Sequence, residues 1–279
     1  MTNYFFDDTL VLIKGAGDLA TGVAWRLHRC GFPVVMTELP TPLAIRRAVA
    51  FAEAVYTGEH EVEGVTARCV SLDDAPDILE AGEIPVLIDE DAAAVYEMGP
   101  TVVVDAIVAK TNTGTTMDDA PLVIALGPGF LAGTDCHGVV ETNRGHYLGR
   151  IYWSGEAQAD TGTPGPLPGM EENASRVLRA PTDGRLQAFV QIGERIPAGE
   201  LIATVLSPAG EETPILAPFT GVLRGLIHEQ VPLRAGMKIG DLDPRSDIRH
   251  AFTISDKSLA VGGGVLEGIL TWLSRGEIS

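Results

Sequence analysis

Basic residues are in short supply: 20 Lys plus Arg stand against 38 Asp plus Glu, a formal charge of -18. A surface of that sign repels the phosphates of nucleic acids and anionic bilayers, so neither is expected as a partner. A halophilic origin or a premium on solubility accounts for the acidity equally well. Cysteine is scarcer still. Cys30, Cys69 and Cys136 are odd in number and widely spaced, which fits neither a disulfide framework nor zinc-finger spacing. No run approaches the roughly 20 apolar residues that span a bilayer. The opening MTNYFFDDTLVLIKG is acidic where a secretory signal is basic. A reducing cytoplasm is the compartment these absences fit best.

What is present is a core. The 279 residues are 45% hydrophobic and 21% charged, enough for two domains with a sizeable interior. Leu10 to Ile13, Pro33 to Met36, Pro85 to Ile88, Thr101 to Val104 and Leu122 to Leu126 read as buried strands. Their continuous apolar character suits parallel strands covered on both faces. Between the first two, Ala20, Val23, Ala24 and Leu27 form one helical stripe, and Gly31 follows as a natural stop. Leu43 to Val55, with Ile45, Ala48, Val49 and Ala52, reads as a second helix. The fold class is therefore α/β. Residues 1–160 are expected to form a Rossmann-like, mostly parallel sheet with helices on both faces.

The character changes near residue 160. The Gly/Pro-rich stretch Thr161 to Gly169 sustains neither helix nor interior strand, so residues 161–178 read as a linker. Beyond it lies an internal repeat. Ala180-Pro181-Thr182-Asp183-Gly184 returns 37 positions later as Ala217-Pro218-Phe219-Thr220-Gly221, and Ala198-Gly199 and Ile202 return as Ala235-Gly236 and Ile239. Two similar β units are expected over residues 179–245. This pattern resembles the biotinyl/lipoyl-like barrel-sandwich family. A swinging-arm carrier needs a lysine between its halves, and Leu206 to Ile215 contains none. The last segment, residues 246–279, carries a helix from Lys257 to Arg275. There Gly262-Gly263-Gly264 costs about 1 kcal/mol per glycine unless another backbone comes close or the helix breaks.

Three segments carry candidate chemistry. Gly15-Ala16-Gly17-Asp18-Leu19-Ala20 follows a strand and opens a helix, fitting G-x-G-x-x-G/A. Gly15 would supply the tight turn, Gly17 the close approach of a phosphate, and the helix N-terminus its unpaired amides. Glu38, 23 residues after Gly15, is placed to grip a ribose diol. It favours NAD-like or adenine nucleotides over a 2′-phosphate. The bland alternative is a turn that packs helix on sheet and binds nothing. Asp18 opposes a pyrophosphate unless it turns away or the ligand is no ordinary dinucleotide. Asp105 to Asn112, including Lys110, falls at a strand's carboxyl edge, where open α/β sheets place ligands; a helix cap with a surface lysine explains it equally. The third segment holds Gly127-Pro128-Gly129-Phe130, Asp135, Cys136, His137, Glu141, Arg144 and His146, side chains suited to proton transfer, phosphate contact or sulfur handling. No zinc template fits the spacing. Cys136 reads better as a small buried hydrophobe than as a reactive thiol.

Lys14 to Gly22, Asp105 to Asn112, Gly127 to Phe130, Glu141 to His146 and Gly262 to Glu267 together resemble the accessory-protein family of selenium-dependent molybdenum hydroxylases. The N-terminal unit is similar to the Rossmann-like part of xanthine-dehydrogenase accessory factors. The resemblance implies a maturation role, with a nucleotide or molybdopterin dinucleotide as ligand and a molybdenum hydroxylase as partner. It carries no assigned catalytic residue. Two alternatives are a NAD-dependent oxidoreductase of a small substrate and a non-enzymatic assembly module that docks a partner enzyme.

Overall fold

The computed structural model describes residues 4–159 and 176–275. Most of the expected Gly/Pro linker, residues 161–175, lies outside the described residues. The first elements are β1 (Val11–Lys14), α1 (Asp18–Arg29), β2 (Val34–Glu38), α2 (Ala54–Thr57), β3 (Glu59–Val62), β4 (Val65–Val70) and α3 (Ala75–Ala81). Then come β5 (Ile84–Ile88), α4 (Ala94–Met98), β6 (Val102–Asp105), β7 (Leu122–Leu126), β8 (Leu131–Ala132), β9 (Gly138–Val140), β10 (Ile151–Tyr152) and β11 (Gly155–Glu156). After the undescribed stretch follow β12 (Val177–Arg179), β13 (Arg185–Ala188), β14 (Arg195–Ile196), β15 (Leu201–Leu206) and β16 (Glu212–Leu216). The chain closes with β17 (Gly221–Leu226), β18 (Lys238–Asp243), α5 (Arg249–Phe252) and α6 (Asp256–Ser274). Two compact units result: residues 4–40, 50–159 and 254–275, and residues 41–49 and 176–253.

The first unit is built on a nine-stranded sheet in the order β10-β9-β7-β6-β1-β2-β5-β4-β3. Pairing is parallel from β9 through to β4, and antiparallel only at the two ends, β10 with β9 and β3 with β4. This is an α/β chain with a large mixed, mostly parallel sheet and a C-terminal helix. The Val/Ile/Leu runs form strands because both faces are covered. Leu12, Val35, Leu87, Val103 and Val123 pack with Ala75, Ala94 and Val95 on one side. Strand alternation sends Ile13, Val104 and Ile124 to the other, where α6 passes so close that a Cβ at Gly268 would lie 3.0 Å from Ile124 Cδ1.

One sequence expectation changes, and one element is new. Leu43 to Val55 is not one helix. Arg47–Val49 and Phe51–Glu53 are single 3-10 turns with Ala50 extended between them, and only Ala54–Thr57 is α-helical. Tertiary partners replace helical ones: Phe51 N–H donates to Thr21 Oγ1 and Ala52 N–H to the Ala16 carbonyl, each at 2.8 Å. The β3–β4 hairpin went unread in the sequence. Its two-residue turn is Glu63-Gly64, both at positive φ (47° and 78°), the geometry that matches strand twist.

The triple glycine is settled by close packing. Helix α6 is unbroken, a Cβ on Gly262 would sit 2.7 Å from the Gly22 carbonyl oxygen, and one on Gly264 would sit 2.1 Å from that of Gly149. Helices α1 and α6 therefore meet backbone to backbone.

The second unit comprises a four-stranded sheet, β12-β18-β17-β14, and a three-stranded sheet, β13-β15-β16. The 37-residue repeat is written in its hydrogen bonds. Gly199 N–H donates to the Ala217 carbonyl and Gly236 N–H to the Ala180 carbonyl, both at 2.8 Å. Ile202 and Ile239 are each fully buried. Among the described residues no helix is long and apolar enough to cross a membrane.

Candidate functional site

Strand order reverses beside β1: the chain first builds β2, β5 and β4 on one side, then returns with β6 and β7 on the other. Loops diverge at such a point and leave a crevice outside the carboxyl ends of the strands. The Gly15 turn and the Asp105 loop flank it. Gly15 adopts φ +93°, and a Cβ there would lie 3.2 Å from the Ala106 carbonyl oxygen, so only glycine fits both conformation and space.

The turn is only partly open to an anion. Gly15 N–H donates to the Thr37 carbonyl, and Ala16 N–H donates to Glu38 Oε2 at 2.9 Å. Glu38 Oε1 accepts from Leu39 N–H, and burial raises the carboxyl's pKa against the lowering effect of these two bonds. The donors left to a ligand are the first-turn amides of α1, which no side chain caps. At Gly17 the way is clear: nothing lies within 4 Å of where a Cβ would project. Asp18 does turn away, its Oδ1 accepting from Ser258 Oγ at 3.0 Å.

Register sets Lys14 beside Asp105 across the β1–β6 pair. Both are buried. Lys14 Nζ donates to Asp119 Oδ2 at 2.6 Å and to Thr115 Oγ1 at 3.1 Å, while Thr115 Oγ1 donates to Asp105 Oδ2 at 2.7 Å. Burial raises the Asp105 pKa, opposed by the Thr115 and Ile107 hydrogen bonds and by the Lys14 charge. The sequence marks Lys14 only as the first residue of the Lys14 to Gly22 stretch and does not mark Thr115 or Asp119. A lysine ending an apolar strand was the one available signal; Thr115 and Asp119 sit in an ordinary polar loop. That loop is wound tightly, with Val108 and Lys110 at φ 57° and 67°, the former a strained conformation for a β-branched residue. The Lys110 backbone is pinned against Gly129, where a Cβ would come within 2.6 Å of it.

The remaining candidates are each held by partners of their own. Asp135 Oδ2 accepts from Leu131 N–H, and His137 Nδ1 accepts from Val123 N–H with burial lowering the imidazole's pKa. Cys136 is fully buried and its thiol is pushed up to about 12, foremost by desolvation, which makes it a poor nucleophile. Glu141 is buried, and its two oxygens accept from the backbone N–H groups of Asn143 and Gln158. Arg144 forms a bidentate pair with Asp256, and His146 stands exposed, edge-on to Tyr147. Among the described residues no three His, Cys, Asp or Glu side chains are grouped to hold a metal ion.

Comparison with known proteins gives no matching family model. The chain is 48% identical over 268 residues to the uncharacterized protein YqeB of Escherichia coli K12, a match covering 96% of this chain and 48% of that protein. The chain thus spans about half the length of its curated relative. Among solved structures it is similar to a succinylglutamate desuccinylase from Silicibacter sp. TM1040, at 14% identity and a TM-score of 0.26, covering 84% of both chains. An aspartoacylase family protein from Mesorhizobium loti gives 11% identity and a TM-score of 0.27, again over 84% of each. Scores of this size carry no activity across to this chain. No molybdenum hydroxylase accessory protein is named among these matches, so the expected family resemblance is given up. The expected maturation role falls with it, and the NAD-dependent oxidoreductase and assembly-module alternatives gain no support from these matches either.

Proposed function

We propose that the first unit binds a phosphate-bearing nucleoside of the adenine-nucleotide or NAD-like class in the crevice outside β1 and β6. The carrying observation is the open position of Gly17 at an uncapped helix N-terminus, with the Glu38 carboxylate at the end of the neighbouring strand. Phosphate oxygens accept from the first-turn amides and meet the positive end of the helix dipole. Glu38 has spent one acceptor site per oxygen on Ala16 and Leu39, and an ionised carboxylate has about four, so two ribose hydroxyls can still donate to it. The Lys14–Thr115–Asp105 chain holds the β6 loop over the turn.

Gly17 makes a clean test because its φ of -67° suits any residue and its surroundings are empty. Calorimetry with ADP and NAD should show binding to the native chain and at least a tenfold loss in Gly17→Asp, with the melting temperature unchanged. Absence of binding by every adenine nucleotide to the folded native chain would sink the reading.

The second unit supports a barrel-sandwich arrangement through its paired sheets and its 37-residue repeat. Its β15–β16 hairpin offers no lysine for a swinging arm.

A further inference from the structure

A cavity of about 560 Å³ opens at the carboxyl edge of β4 and β5, within the size range of small-molecule sites, roughly 300–1,000 Å³. Val70, Leu72, Leu87 and Ile88 give it apolar walls, and Asp89 and Glu97 give it carboxylates; no Lys or Arg lines it. Two bonds of geometry tie it to the Glu38 end of the crevice. Ile88 is the register partner of Glu38 in the parallel β2–β5 pair, and Asp89 N–H donates to the Glu38 carbonyl at 3.0 Å. Ile88 is also half exposed, so its face is open to a ligand.

We infer that this cavity is the base subsite of the nucleotide site, and that it takes a planar, uncharged heterocycle bearing an exocyclic amine: adenine in preference to hypoxanthine. The inference rests on the nucleotide reading above. A ring packs against Leu87 and Val70, register partners on one face of the sheet, with Ile88 at its edge, while its amine donates to acceptor-only carboxylates. Asp89 already accepts from Ala93 N–H and Ala94 N–H, one bond per oxygen, which leaves lone pairs for a further donor. A phosphate in the same cavity meets two carboxylates and no cation, so the charge pattern orients the ligand with its phosphates toward Gly17 and its base here.

Cys69 lines the cavity, Cys30 is exposed elsewhere and Cys136 is buried. In the full chain carrying Cys30→Ser, saturating ADP should slow N-ethylmaleimide labelling of Cys69 at least fivefold, read by mass spectrometry. By calorimetry ADP should bind at least tenfold more tightly than IDP. Glu97→Gln should narrow that ratio, and the solvent-facing Ile88→Glu should weaken ADP at least tenfold. If ADP binds yet leaves Cys69 labelling unchanged and IDP binds equally well, the base subsite is wrong and the nucleotide reading stands. If neither nucleotide binds, both fall together.

Discussion

Lys14 is the residue on which the crevice is organised. Its ammonium is buried with Asp119 at 2.6 Å, and it also donates to the Thr115 hydroxyl that bonds Asp105. Two charges taken out of water are costly, so the pair's net worth is small; breaking it strands a buried charge at a cost of about 3–5 kcal/mol. Asp119→Asn or Lys14→Met should each lower unfolding free energy by about that much in urea titrations, while Lys14→Met combined with Asp119→Leu should recover much of the loss. Glu38 makes a pH prediction. Burial raises its folded-state pKa above the ordinary 4.5, so the folded state holds this proton more tightly than the unfolded chain does. The resulting stabilisation is complete below the unfolded value and is lost as pH rises through the folded one. Unfolding curves from pH 4 to 7 should therefore show native stability falling relative to Glu38→Gln as pH increases. A constant difference would show that Glu38 is not desolvated.

At the scale of elements, the α1–α6 contact depends on glycines that differ sharply from one another. Gly262 and Gly22 touch the opposing helix, so Gly262→Ala should destabilise by about 1–3 kcal/mol through overpacking. Gly263 has nothing within 4 Å, and Gly263→Ala should stabilise by up to about 1 kcal/mol through helix propensity alone. Guanidinium unfolding of the two variants reads both signs. The glycine run was legible as an anomaly, but periodicity alone did not separate its members. The same limit applies to Leu43 to Val55, whose apolar spacing looked helical. Once Thr21 and Ala16 offered partners to Phe51 and Ala52, a helix was no longer needed to satisfy those amides.

For the molecule as a whole, each unit draws on distant sequence. Helix α6 closes the first unit from the far end of the chain. In the second, Arg46 donates to the His250 and Thr253 carbonyls, Arg47 donates to the Leu226 carbonyl, and the Ile45 carbonyl lies 2.6 Å from where a Cβ on Gly225 would fall. A fragment of residues 164–253 should therefore be less stable to urea than the same unit in the full chain. A peptide of residues 41–49, added in trans, should recover part of the difference. Equal stability with and without the peptide would show that the segment is dispensable.

Local chemistry decided the parallel strands β1, β2, β5, β6 and β7, helices α1 and α6, and the 37-residue repeat, but not β4 or β9. Each follows from apolar runs, a helical stripe or recurring turn residues that act over a few positions. The Gly15 turn and the acid at the end of β2 were legible for the same reason. Tertiary structure alone decided that Glu38 reaches back to Ala16, that Lys14 finds Asp119 about a hundred residues away, and that a cavity opens beside β5. Those contacts depend on which strands become neighbours, and strand order is a property of the folded chain's long-range packing that no short stretch of sequence encodes.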